Sequence, residues 1–183
     1  MTTSTEYIDV ISPDGNLTGV SKPRSEIHQE GVWHRSVHLW VLTDKKELLI
    51  QQRSLEKESH PGLWDASCAG HIPSGDSSLQ TAVRELKEEL GLNVRPEELE
   101  RIFTIESSFV LNNGTYKENE LVDVYLLRKN INVQTLQLQP EEVEAVKMIS
   151  VDTFKKSVLS NDSSFVPHSK VYQNLFDYLD KSI

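Results

Sequence analysis

Leu79, Val83, Leu86 and Leu90 recur at i, i+4, i+7 and i+11, a spacing that puts apolar side chains on one face of a helix and predicts one over 77–90. Ser77 or Ser78 can cap its start, Asp76 suits the positive end of its dipole, and Gly91 supplies the left-handed residue that ends many helices. Upstream, the runs 34–41 and 47–54 flank the polar turn Thr43-Asp44-Lys45-Lys46 and read as a hairpin leading towards that helix. A second hairpin is predicted from 6–11 and 17–22 around Ser12-Pro13-Asp14-Gly15-Asn16, placed to cover a ligand or the partner in a homodimer. Strands over 103–110 and 121–127 surround a loop at 111–116, and 144–149 reads as a later strand. Val171, Leu175 and Leu179 give 168–179 a helical spacing. Alternating strand and helix signals predict an α/β fold, an α/β/α sandwich with a mixed sheet.

The chain's 183 residues fit one domain with one good core, read as an N-terminal hairpin extension (1–33), a core (34–160) and a C-terminal helix within 161–183. A net charge of −9 argues against a nucleic-acid surface, which needs clustered Lys and Arg, but not against small anions, because bound cations reverse the local field. No apolar run approaches the roughly 20 residues of a membrane span, and the first residues lack the basic and apolar regions of a signal peptide. Cys68 is the one cysteine, so no intramolecular disulfide can form, and a cytoplasmic setting is expected.

Chemistry concentrates on the predicted central helix. Glu85, Glu88 and Glu89 stand at i, i+3 and i+4, gathering their carboxylates on one side, where they repel one another unless a cation sits among them. Acidic runs on helices are more often solvated faces, and it is the surrounding pattern that decides here. Carboxylate oxygens are ligands that hard Mg²⁺ or Mn²⁺ prefers, and Mg²⁺ is commonly shared between carboxylates and a substrate's phosphates. A phosphate-bearing small molecule is the implied substrate.

The segment 70–92 resembles the signature of the Nudix hydrolases, G-x5-E-x7-R-E-U-x-E-E-x-G-U with U aliphatic. Gly70, Arg84, Glu85, Leu86, Glu88, Glu89, Gly91 and Leu92 fall on its fixed positions, and Asp76 stands where a glutamate is usual. The wider run 34–92 is similar to type I isopentenyl-diphosphate isomerases and their hydrolytic relatives, including the Nudix portion that precedes a peptidase-like domain in some plant proteins. The present sequence is too short to hold that peptidase as well.

In the isomerases a catalytic cysteine immediately precedes a Gly-His pair, whereas this chain has Ala69 there. Cys68 comes one residue early, which in a strand turns it to the opposite face, as a buried small residue.

The resemblance implies the Nudix fold and Mg²⁺-dependent hydrolysis of a diphosphate linkage. Mg²⁺ (or Mn²⁺) would be held by Glu85, Glu88 and Glu89, with Glu88 or Glu89 as preferred ligand and base and Arg84 orienting a neighbouring glutamate. It also implies a metal role for His71, Glu118 and Glu120, with His28 and His34 as less closely matched candidates. Glu118 and Glu120 would bind a further cation, or one of them, Glu120 above all, would serve as base. Arg53 and Lys57, then Lys22 and Arg24, are the candidate phosphate contacts. Trp64, with Trp33 and Trp40, is a candidate wall for an apolar pocket, against the commoner reading of core tryptophans.

A prenyl diphosphate such as isopentenyl diphosphate is the substrate the resemblance favours, and a nucleoside diphosphate derivative the one superfamily habit favours. Isopentenyl-diphosphate isomerisation is the second reading, and a non-catalytic phosphate-ligand binding module the third.

Overall fold

Along the strand His34–Leu42, alternate side chains enter two different environments, and this division organises the molecule. The computed structural model describes residues 5–182, so the reading of the extreme N-terminus as free of a targeting segment lies largely outside the described residues. The chain runs through β1 (Tyr7–Ile11), β2 (Leu17–Pro23), α1 (Arg24–Glu30), β3 (His34–Leu42), β4 (Glu47–Arg53), β5 (Trp64–Asp65) and β6 (Cys68–His71). It continues through α2 (Ser78–Leu90), β7 (Leu99–Leu111), β8 (Tyr116–Arg128), β9 (Val143–Ser150), α3 (Val151–Leu159) and α4 (Ser169–Ser182). β1 and β2 pair with each other and are tied to the core by a bridge from Ile8 to Pro73, while β3 to β9 form one sheet with the order β5-β4-β3-β8-β7, β6 pairing β3 and β9 pairing β4. β3 and β8 run parallel and the other pairs antiparallel, so the sheet is mixed.

On one face, Val37, Leu39 and Val41 of β3 pack with Leu49, Cys68, Tyr125 and Leu127 against Ala82, Leu86 and Leu90 of α2. On the other, Trp40 and Leu42 join Val122, Val124 and Leu126 against Phe154 of α3 and Leu175, Phe176 and Leu179 of α4. Helices thus cover both faces, the α/β/α arrangement expected from the sequence.

The helix α2 starts and ends where its local chemistry says it should. Gln80 N–H donates to Ser77 Oγ while the Gln80 side chain accepts from Ser77 N–H, a capping box, and Gly91 closes the helix at φ 68° with its N–H directed to the carbonyls of Leu86 and Lys87.

Several elements differ from the sequence reading. α1 and α3 were not expected. β7 and β8 extend from Leu99 and to Arg128, leaving only residues 112–115 between them. The C-terminal helix is no appendage, because its apolar face completes the core around Trp40. No helix among the described residues is long and apolar enough to cross a membrane.

Phe176→Ala, which empties a fully buried aromatic site on α4, is expected to lower the unfolding free energy by about 3–5 kcal/mol in urea titration. A loss below about 1 kcal/mol would mean that α4 is peripheral to the core.

Candidate active site

The face of β3 that carries Trp40 into the core carries His34, Ser36 and His38 towards the other end of the sheet. Register sets their neighbours: Glu120 of β8 lies beside His34, His71 of β6 beside Ser36, and Ala69 beside His38. α1 adds His28. That helix is anchored by buried Ile27 and stopped by Gly31 at φ 71°, a left-handed conformation that favours glycine.

Four of these side chains, His28, His34, His71 and Glu118, bring one ligand atom each within 4.8 Å of one another. Glu118 Oε1 lies 3.2 Å from His28 Nε2 and 3.0 Å from His34 Nε2, and Glu120 Oε1 is 3.4 Å from His34 Nε2 and 3.6 Å from His71 Nε2. The His28 and His71 Nε2 atoms face each other at 3.2 Å. His34 Nδ1 is 3.1 Å from the Val32 carbonyl, and Tyr116 donates to the outer oxygen of Glu118 at 2.8 Å while stacking on His28. Such outer hydrogen bonds aim ligand atoms inward.

Burial alone would lower the His34 imidazole, but the Glu118 and Glu120 carboxylates push it up to about 10. Burial and then the charge on His34 hold His71 well below the ordinary range. Burial disfavours ionised Glu118, yet His28 and His34 hold it well below the usual carboxylate range. Glu118 Oε1 and His34 Nε2 are buried without a hydrogen-bond partner of proper geometry among the described residues. Convergent imidazole and carboxylate atoms of this kind fit a divalent cation, and the nitrogen donors suit Mn²⁺, Fe²⁺ or Zn²⁺ better than Mg²⁺.

The opposite face of β6 meets α2. A Cβ at Gly70 would sit 2.5 Å from Glu85 Cδ, so only glycine lets this carboxylate lie against the strand. Arg84 bridges Glu85 and Glu88, at 2.8 Å to each. Glu89 is buried, with Oε2 unpartnered among the described residues, while Glu88 is exposed. Burial, then the charge on Glu89, raises Glu85 to about 8, and burial raises Glu89 to about 7. Oxygens crowded in this way fit a hard cation.

Cys68 is buried on this α2 face, as its offset from position 69 predicts. The sequence did not foresee that its sulfur would also approach Glu85 and Glu89, and burial with their charge keeps the thiol protonated.

Two cavities meet at β6. The outer one, about 330 Å³, is lined by Arg24, Lys57, His71, Arg84, Glu85, Glu88, Glu89 and Glu142 among others. The inner chamber, about 80 Å³, shares Arg24, Lys57, Ala69, Gly70 and His71 with it and is bounded also by Arg53, Glu118 and Glu120. Arg24 reaches Glu58 at 3.2 Å, Arg53 donates to Asp65 at 3.2 Å, and Lys57 pairs with Glu142.

Two expected contacts lie elsewhere. Lys22 is paired with Glu30 at 2.6 Å and lines neither cavity. Trp64 lies under Lys147, whose Nζ is 3.7 Å from its ring centroid, because strand alternation turns Asp65 rather than Trp64 inward. Trp40 is core, and Trp33 also lies outside both cavities. Asp76 is exposed in the loop before α2.

Sequence reasoning missed a polar group on the far wall of the inner chamber: His38, His60, Asp65 and His168. Burial opposes charge on Asp65, yet His168 and Arg53 hold it well below the usual carboxylate range. Burial, then His168, lowers His38 to about 3. The available signal was the period-two series His34, Ser36, His38, polar positions on one face of an otherwise apolar strand.

Raised acids have a consequence for stability. Folded Glu85 and Glu89 keep their protons to higher pH than the unfolded chain does, so without cations their contribution is complete below about pH 4.5 and is lost as pH rises through about 7 and 8. His34, raised above its unfolded value, acts in the same direction. The melting temperature of metal-stripped protein is expected to fall between about pH 6.5 and pH 8, above the range in which the depressed His38 and His71 act in the opposite direction, and the Glu85→Gln/Glu89→Gln double variant to fall less. Equal slopes for the two proteins would contradict this origin.

The NUDIX domain family matches residues 32–169. Nudix hydrolase 3 of Arabidopsis thaliana is 42% identical over 179 residues, covering 95% of this chain, which spans only 23% of that relative's length. An isopentenyl-diphosphate Delta-isomerase of Pectobacterium atrosepticum is 32% identical over 156 residues, 85% of this chain and 83% of that protein. The crystal structure of DR0079 from Deinococcus radiodurans superposes with a TM-score of 0.69 at 18% identity, covering 92% of this chain and 98% of that one, a likeness of fold.

Proposed function

The chain belongs to the Nudix family, and on that premise we propose that it hydrolyses the diphosphate linkage of a small organic diphosphate, assisted by divalent cations. The observation that carries this reading is the joint lining of one cavity by the cations Arg24 and Lys57 and the acids Glu85, Glu88 and Glu89, the charge pattern that a metal diphosphate requires. A divalent cation held there would supply charge neutralisation for the diphosphate and activation for the attacking water. Glu85, Glu88 and Glu89 are the residues to hold Mg²⁺, and His28, His34, His71, Glu118 and Glu120 those to hold a second, softer ion. Arg84 fixes Glu85 and Glu88 relative to each other, while Arg24 and Lys57 bind phosphate oxygens and Arg53, paired with Asp65, lines only the inner chamber. Glu88, Glu89 and Glu120 are the acceptors available for the proton of the attacking water.

The organic group occupies the inner chamber. The likeness to isopentenyl-diphosphate isomerases favours a group of isopentenyl size over a nucleoside. The net charge of −9 likewise disfavours a nucleic-acid polymer.

Isomerisation is the second reading, kept open by the likeness to the Pectobacterium isomerase. It needs a proton donor and a proton acceptor across the alkene. Tyr116, Glu118 and Glu120 line the chamber, but Ala69 offers no such group where the isomerases carry their cysteine, and Cys68 faces α2.

Glu88→Gln, a change at an exposed side chain, is expected to cut phosphate release from isopentenyl diphosphate with Mg²⁺ by at least about a hundredfold without lowering the melting temperature. Cys68→Ala should stay within about threefold of the unmodified enzyme. Near-normal turnover in folded Glu88→Gln would overturn the assignment. Tight binding with no product from any diphosphate would favour a binding module instead.

A further inference from the structure

We propose that the far wall of the inner chamber recognises a hydrogen-bonding atom on the organic group, so that the preferred substrate is a short-chain diphosphate bearing a hydroxyl or similar polar function rather than a pure hydrocarbon. The proposal rests on the diphosphate reading above and narrows it.

Two buried polar atoms along β3, Ser36 Oγ beside His71 and His38 Nδ1 at the far wall, lack hydrogen-bond partners among the described residues, and both residues line the chamber. Buried polar atoms in folded proteins are nearly always paired, so these two mark a side of the chamber built for polar rather than purely apolar contents.

Beside them, Asp65 is only 2% exposed, accepts from Arg53 at 3.2 Å and from the Ala66 N–H at 2.8 Å, and lies 3.4 Å from His168 Nε2. Turning Nε2 of His168 to this carboxylate leaves Nδ1 as the nitrogen available to a ligand. The His168 ring centroid is 4.9 Å from that of His38, so the two imidazoles form one polar surface.

The position suits a short substrate. His38 follows His34 by four residues on the same strand face, on the order of 13 Å along the strand, so the polar wall lies a short carbon chain beyond the cation-binding end.

A matched pair tests this: isopentenyl diphosphate and 3-hydroxy-3-methylbutyl diphosphate, which differ by the elements of water across the alkene. The expected kcat/KM ratio favours the hydroxylated compound by at least about tenfold, and both His168→Phe and Ser36→Ala reduce that ratio, His168→Phe to about one. A ratio at or below one in the unmodified protein, or an unchanged ratio in both variants, would overturn the proposal and leave the network a structural one around water. Using both variants keeps the test valid if His168→Phe fails to fold. If neither compound turns over, the same ratios are taken from dissociation constants with Mg²⁺ by calorimetry. Preferential binding that the variants abolish would support the subsite while the hydrolytic reading fails, and equal binding would overturn the subsite itself.

Discussion

The carboxylate of Glu85 lies where the side chain of residue 70 would otherwise project, because residue 70 is glycine and a Cβ there would be 2.5 Å from Glu85 Cδ. That approach brings α2 close enough to β6 for Leu86 and Leu90 to pack with Leu39 and Cys68, and it places the acids of α2 one strand's thickness from the imidazoles on the other face. β6 is therefore a shared wall. Gly70 serves the α2 side, His71 the imidazole side, and the cavities on either side meet around Ala69, Gly70 and His71.

Holding acids in this position opposes folding, since burial, joined at Glu85 by the charge on Glu89, lifts Glu85 and Glu89 to about 8 and 7. The opposing contributions come from elsewhere on the same elements. α2 is capped at both ends and buries Ala82, Leu86 and Leu90, and β3 lies between two apolar clusters. A cation that binds only the folded site adds stability by mass action, so the arrangement that is uncomfortable alone becomes favourable when loaded. Arg84 compensates part of the charge while leaving Glu89 uncovered, consistent with a positioning role rather than neutralisation of the whole site.

Legibility in the sequence followed locality. α2 could be read to within a residue because its apolar period, cap and terminating glycine are contiguous. α1 could not, since Ile27 is the one apolar residue among Arg24–Glu30 and offers no period, although this helix carries His28 into the cluster. α3 is a short helix whose Ser150 cap went unread. β8 was underestimated because its first residues, Lys117 to Glu120, are polar even though Glu118 and Glu120 are buried, and β7 because Glu100 and Arg101 near its start are polar and exposed. At the site, the acids of α2 were found through fixed spacing, whereas Asp65 and His168 come together only through the pairing of β5 with the segment before α4. Trp64 was misassigned for a similar reason: without the phase of a two-residue strand, nothing in the sequence says whether it or Asp65 faces inward.

In the proposed hydrolysis, water attacks phosphorus in the cavity lined by Arg24, Lys57, Glu85, Glu88 and Glu89. Turnover of isopentenyl diphosphate with Mg²⁺ in ¹⁸O-labelled water, read by mass spectrometry of the products, tests it most directly. Hydrolysis puts one labelled oxygen in one of the two phosphate products and leaves the organic group unrearranged. An organic chain with its alkene moved and a diphosphate free of label would contradict it.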